Sequence, residues 1–98
     1  MKNFDYQQLD DIIHSRIRLA IMAVLITVEK ADFIYLREMV NATDGNLSVH
    51  LKKLEEAQYI SVKKSFEKRK PITHYKLTAF GRKAFEAYID SLEHLIKP

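Results

Sequence analysis

A run of small, polar and basic side chains between positions 45 and 53 carries the groups best suited to specific recognition. Serine and asparagine both donate and accept hydrogen bonds, valine can meet the methyl group of thymine, and lysine neutralises phosphate. The run comprises Gly45, Asn46, Ser48, Val49, His50, Lys52 and Lys53. These residue types, at this density, indicate contact with a polyanion such as double-stranded DNA.

The leading half of the run holds the candidates for base contacts. Ser48, Val49 and His50, helped by Asn46, would lie deepest in a groove if the run forms a helix that enters end-on. For His50 we favour a phosphate contact. The alternative for Val49 is packing beneath the preceding helix.

Two lysines and a glycine complete the run. Lys52 and Lys53 are predicted to position the protein on the phosphate backbone, since a lysine is a flexible point charge. Gly45 would let the backbone approach DNA closely at a helix N-terminus, where free N–H groups bind phosphate. The alternative is that Gly45 only relieves crowding at the turn.

A second cluster of charge follows the run. Residues 60 to 76 hold six cations against one carboxylate, a local charge of +5 in a chain whose net charge is +3. The candidate phosphate contacts in this segment are Lys63, Lys68, Arg69 and Lys70. Of these, Arg69 is the one suited to a narrow minor groove. The alternative is a solvated charged hairpin without a partner.

Composition limits the other functions. The 98 residues contain no cysteine, so disulfides and thiolate zinc sites are excluded. No Ser/His/Asp set or glycine-rich phosphate loop is present, and we expect no enzyme and no cofactor. His14, Asp90, Glu93 and His94 lack the paired spacing of a metal sensor, so a solvated helix face is the better account and no metal site is predicted.

The N-terminus lacks the apolar run of a signal peptide. The longest apolar run, residues 19–26, is far below the roughly 20 residues needed to span a bilayer. We therefore expect no membrane association and a cytoplasmic location.

Helical periodicity shows how the run would be held. Ser15 is a candidate N-cap for a helix that is apolar on all faces, and Asp32 for a second helix ending near Val40. The inner face of the second helix is predicted to hold Phe33, Leu36, Met39 and Val40. Thr43 would cap a third helix whose buried stripe is Leu47, Leu51 and Leu54. Residues 32–57 therefore predict a helix-turn-helix, with the run on its second helix.

The period then changes from 3.6 to 2 between residues 59 and 77, which predicts a β-hairpin with a charged tip at residues 67–71. Tyr75 is expected in the core at the base of this hairpin. Thr78 would cap a last helix, residues 78–96, in which Gly81 indicates close packing against the hairpin or the third helix.

Two terminal helices, residues 4–13 and 78–96, have more apolar surface than one small core can cover. This surplus predicts a homodimer. The expected interface residues are Phe4, Leu9, Ile12, Ile13, Tyr88, Ile89, Leu92, Leu95 and Ile96.

The blocks LDDIIHSRIRLAIMAVL (9–25), TDGNLSVHLKKLEEA (43–57) and KSFEKRKPITHYKLTAFGRKAFEAY (64–88) resemble the single-domain winged helix-turn-helix regulators related to the ArsR and MarR families. The resemblance implies homodimers that bind pseudo-palindromic operators, with the third helix in the major groove and the hairpin as a wing. The sequence departs from the pattern at Gln58 and near Lys68, where the families place glycine.

Together these features predict one domain over residues 1–98, mainly α with a small β-hairpin, in the winged helix-turn-helix class. The expected function is a DNA-binding transcriptional regulator, most simply a repressor. The alternative is a winged helix used for protein–protein interaction. Any small-molecule effector would have to bind at the dimer interface, because no sensory domain is present.

Overall fold

The computed structural model describes residues 5–97 and contains four α-helices and a three-stranded sheet. In chain order the elements are a 3-10 turn at Tyr6–Gln8, α1 Arg16–Leu25, β1 Ala31–Asp32, α2 Phe33–Val40, α3 Asp44–Glu56, β2 Ile60–Glu67, β3 Lys70–Leu77 and α4 Ala79–Ile96. The predicted helix-turn-helix, hairpin and final helix are all present. The fold is that of a winged helix, and we call the hairpin Ile60–Leu77 the wing.

Four side-chain caps fix where the α-helices begin. Ser15, Asp32, Thr43 and Thr78 each accept a hydrogen bond from the backbone N–H three residues later. Such caps satisfy one of the donors that the first turn leaves free. All four caps confirm the sequence prediction.

The core lies where α1, α2, α3 and the base of the wing meet. Its largest fully buried side chains are Ile13, Ile21, Met22, Leu25, Leu36, Leu47 and Leu54. Tyr75 packs against this cluster, as expected for the base of the wing. The prediction for Met39 was wrong, since 56% of it is exposed. Helix α2 has only about two turns and fully buries one side chain, Leu36, while Phe33 and Val40 are half-buried against the core.

Helix α1 is less enclosed than its composition suggested. Ile21, Met22 and Leu25 are buried, but Ala23 is exposed and Leu19 and Val24 are only half-buried. Within the single chain, α1 is therefore fully covered on one side and only partly covered on the others.

The sheet contains a strand that periodicity did not reveal. Residues Ala31–Asp32 form β1 and pair antiparallel with Tyr75 and His74 of β3, giving the strand order β1-β3-β2. Two residues are too few to show a period. Pro71 is tolerated in β3 because β1 ends well short of it, so that side of the strand has no ladder at this point.

The wing turns over two residues, a tighter turn than the five-residue tip predicted from the sequence. Glu67 pairs with Lys70, and Lys68 and Arg69 between them have φ of 51° and 66°. Positive φ at both central positions is the pattern of a type I′ turn, which matches the twist of the flanking strands. The turn is therefore built without the glycine that the families place there.

The N-terminal helix predicted over residues 4–13 is not formed. Instead, a 3-10 turn capped by Asp5 leads into turns at residues 11–13, held by Asp10 Oδ1, which accepts from the N–H of Ile12 at 2.8 Å. Asp5, Asp10 and Asp11 favour such side-chain-capped turns over a helix interior. Phe4 lies outside the described residues.

The predicted interface residues that the structure describes differ in burial and fall into buried, half-buried and exposed groups. Ile13 is 0% exposed and Tyr88 4%, so both belong to the core of the protomer and leave no surface for a partner. The half-buried residues that pack against that core are Leu9, Ile12, Ile89 and Leu92. Leu95 and Ile96, at the end of α4, are 49% and 73% exposed.

Gly81 explains how α4 approaches the rest of the domain. A Cβ at this position would lie 2.0 Å from the backbone oxygen of Tyr59, at the junction of α3 and the wing. The close packing predicted for this glycine is confirmed. Within residues 5–97, no helix is both long and apolar enough to cross a membrane.

Candidate nucleic-acid interface

Helix α3 presents a polar surface because its apolar stripe is completely covered. Leu47, Leu51 and Leu54 are at most 3% exposed. Successive residues of an α-helix are about 100° apart around its axis, so the side chains between these leucines point away from the core. The exposed side chains of α3 from Asn46 to Lys53, which we call the reading face, are Asn46, Ser48, Val49, Lys52 and Lys53. Three acidic side chains are exposed nearer the ends of the helix, namely Asp44, Glu55 and Glu56.

Two of the alternatives raised by the sequence do not hold. Val49 is 56% exposed, so it does not pack beneath α2. A Cβ at Gly45 would meet nothing within 4 Å, so this glycine relieves no crowding. Both residues are free to contact a ligand.

An ion pair joins the two helices of the helix-turn-helix. Arg37 Nη1 on α2 lies 2.8 Å from Asp44 Oδ1, in the first turn of α3. Asp44 raises the pKa of Arg37 through this hydrogen bond. Asp44 is also placed where a negative charge favours a helix N-terminus. Because the pair is exposed, its contribution is to orientation more than to stability.

His50 lies on the flank of the reading face and is held by an arginine that the sequence analysis did not single out. Arg18 Nη1, on α1, lies 2.9 Å from His50 Nδ1. The same guanidinium donates through Nε to the carbonyl of Ile12 and through Nη2 to that of Asp11, the latter at 3.4 Å. Arginine has only donors, so Nδ1 must be the acceptor in the pair.

The environment of His50 favours its neutral form. Burial lowers its pKa first, and the positive charges of Arg18 and Lys53 lower it further. A neutral imidazole that accepts at Nδ1 carries its proton on Nε2. His50 therefore offers a donor without a charge, which weakens the case for the phosphate contact expected from the sequence.

Just past the end of α3 lies Gln58, one of the positions where the families place glycine. Its φ is 65°, and it adopts the left-handed conformation that glycine would take. The N–H of Gln58 donates to Glu55 and that of Tyr59 to Leu54, both at 2.9 Å. This pair of bonds is a Schellman cap. The helix thus ends as it would with glycine, at a conformational cost of about 1 kcal/mol.

Tyr59 ties this junction to the N-terminal segment. Its hydroxyl donates to Asp10 Oδ2 at 2.5 Å, and burial together with this bond raises the pKa of Tyr59 to about 12. The aromatic ring also packs edge-on against Phe80 of α4, with ring centroids 5.4 Å apart. The junction between α3 and the wing is therefore held by contacts with both the N-terminal segment and α4.

The wing carries its cations on the surface. Lys68, Arg69 and Lys70, which we call the wing tip, are all exposed. Lys63 is exposed as well but lies midway along β2, opposite His74, and so apart from the tip. Lys64, the next residue on this strand, is also exposed.

A groove of about 650 Å³ runs between α1 and the leading end of α3. Its polar lining includes Ser15, Arg16, Thr43, Asn46 and His50. The groove is continuous with the reading face through Asn46 and His50. Among residues 5–97, no three histidines or carboxylates are grouped as metal ligands would be.

Comparison with known proteins agrees with this architecture. Residues 17–96 match the family model of a winged helix DNA-binding domain. An uncharacterized protein of Methanocaldococcus jannaschii is 45% identical over 86 residues, covering 88% of this chain and 94% of that protein.

Solved structures give the same result. A transcriptional regulator homologue from Pyrococcus horikoshii is 30% identical, with a TM-score of 0.81 over 87% of this chain and 84% of that one. A MarR-family regulator from Silicibacter pomeroyi is 14% identical, with a TM-score of 0.65 over 88% of this chain and 60% of that one. The chain belongs to the winged helix DNA-binding domain family, and its fold is that of transcriptional regulators of the MarR and ArsR families.

Proposed function

We propose that this protein is a sequence-specific, double-stranded DNA-binding transcriptional regulator that acts as a homodimer. The observation that carries the proposal is the exposed reading face of α3, backed by a fully buried leucine stripe and followed by a wing tip of three adjacent cations. The surface of this domain therefore carries both an exposed polar helix face and a cluster of three cations. We propose that the protein acts in the cytoplasm, where it binds DNA.

In the proposed complex, α3 enters the major groove and the wing lies along the backbone. Asn46, Ser48 and Val49 contact base edges, while Lys52 and Lys53 contact phosphates. The tip residues Lys68, Arg69 and Lys70 contact the backbone or the minor groove, and Lys63 adds charge further along the strand. Gly45 lets the start of α3 approach a phosphate closely.

Dimerisation is proposed through α4 and the N-terminal segment. The end of α4 exposes Leu95 and Ile96, and Ile89 and Leu92 continue this side of the helix toward the core. The protomer is elongated, 59 × 26 × 21 Å. Two such protomers joined through their terminal segments would place the two reading faces on half-sites about one helical turn apart. Repression follows if such an operator overlaps a promoter.

The direct test is binding of the full chain to DNA from its own promoter region at two salt concentrations. We expect tight binding at low salt, and at least tenfold weaker binding for Lys53→Ala with Arg69→Ala. Lys97→Ala, which removes a cation at the far end of α4, is the matched control and should bind like the wild type. Equal binding by the double variant and the wild type would refute the proposed interface.

The dimer has a separate test. Leu95→Glu with Ile96→Glu places two charges on the exposed end of α4 and should give a monomer by sedimentation at micromolar concentration. A wild-type protein that is already monomeric at that concentration would count against the homodimer.

A protein-interaction module is the second candidate, and α2 supplies the observation that favours it. Ile34 and Met39 are 57% and 56% exposed on this helix, more apolar surface than a DNA-facing element needs. A protein partner that stays bound after nuclease treatment, and is lost with Ile34→Ser and Met39→Ser, would support this reading. Unchanged DNA binding by that variant would separate the two functions.

A further inference from the structure

Arg18 on α1 hydrogen-bonds to a side chain of α3, and its three hydrogen bonds leave it little freedom. Two go to backbone carbonyls, those of Ile12 and Asp11, and the third goes to His50 Nδ1. A guanidinium fixed at three points is a rigid donor, whereas a lysine would be a mobile point charge. The imidazole of His50 is therefore held in one tautomer.

We propose that Arg18 is a positioning residue for DNA recognition, which holds His50 with Nε2–H as a neutral donor to an acceptor on a base edge in the major groove. The inference rests on the proposed function and goes beyond it by assigning a role to a residue outside the helix-turn-helix. The acceptors of suitable chemistry are guanine N7 or O6, adenine N7 and thymine O4.

A base is a better partner than a phosphate for electrostatic reasons. The charged groups around His50 are Arg18 on α1, Lys53 on its own helix and Arg16 on the rim of the shared groove. These cations, with Lys52, already supply charge for phosphates. An uncharged donor adds little to that attraction, but it discriminates between base pairs by the acceptor it requires.

The test uses the full chain and a DNA site selected from a random library, with affinities measured for every single-base-pair change in that site. His50→Ala should reduce discrimination at one position of each half-site by about tenfold, the size of one well-placed hydrogen bond to a base. Arg18→Met should lose discrimination at that same position, and the double variant should lose no more than either single one.

Arg16→Met is the matched control, because it removes the same charge from the same turn of α1. It should lower affinity equally for all sites and leave discrimination intact. Arg18→Met behaving in the same way would overturn the proposal. If the wild type selects no DNA sequence at all, the proposed function fails together with this inference.

Nitrogen NMR of the wild-type imidazole is independent of whether Arg18→Met folds. We expect the Nε2–H tautomer for His50 and a pKa below that of an exposed histidine, and both can be measured without DNA. A proton on Nδ1, or rapid exchange between the two tautomers, would overturn the proposal even if operator binding is found.

Discussion

Replacing Gly81 by alanine should disrupt the junction between α3 and the wing. The added Cβ would lie 2.0 Å from the Tyr59 backbone oxygen, while ordinary contact begins at 3.4 Å, so the two must separate by about 1.4 Å. The Tyr59 oxygen also accepts hydrogen bonds from the N–H and the hydroxyl of Thr78, both at 3.1 Å. Neither group moves without breaking these bonds.

The magnitude follows from two opposed effects. Overpacking against backbone costs about 3 kcal/mol, at the upper end of the usual range, because no flexible side chain can yield. Alanine returns about 1 kcal/mol through its better helix preference. The free energy of unfolding should therefore fall by about 2 kcal/mol, and the melting temperature by about 8 to 16 °C for a domain of this size.

The assay is thermal and urea unfolding followed by circular dichroism. The chain has only two glycines, and the other one is the control. A Cβ at Gly45 meets nothing within 4 Å, so Gly45→Ala should raise stability by about 1 kcal/mol through helix preference alone. If Gly81→Ala were as stable as the wild type, the packing of α4 on Tyr59 would be refuted.

Three further outcomes are expected. Gln58→Gly should raise the free energy of unfolding by about 1 kcal/mol in urea titrations, because glycine adopts the left-handed cap without strain; a loss of stability would contradict the Schellman cap. Arg69→Ala should reduce the slope of log affinity against log salt by about 1 per wing, and an unchanged slope would mean that the tip does not contact phosphate. Tyr59 has its pKa raised to about 12 in the folded state, so the stability it contributes is present below its unfolded pKa of about 10 and is lost as pH rises from there toward 12. The free energy of unfolding of Tyr59→Phe should therefore fall less steeply with pH over that range than that of the wild type. An identical pH dependence in the two proteins would show that Tyr59 ionises normally.

The sequence determined the four α-helices, the hairpin and the exposed side of α3, because these depend on local chemistry. Helix starts were readable from Ser15, Asp32, Thr43 and Thr78, since a cap is a bond to a residue three positions away. The reading face followed from the leucine stripe, because burial on one side of a helix dictates what lies on the other.

Tertiary structure decided what depends on distant neighbours. Strand β1 forms because its two residues pair with β3. The N-terminal segment forms a turn because the Asp10 carboxylate accepts hydrogen bonds from the N–H of Ile12 and from the hydroxyl of Tyr59. Ile13 and Tyr88 are large apolar residues of the kind found at interfaces, but the fold buries them in the core of the chain. The contact from Arg18 to His50 spans 32 positions in the chain, and no period or spacing indicates such a pair. Local rules identified the exposed polar side of α3, whereas the fold determined which side chains hold that surface in place.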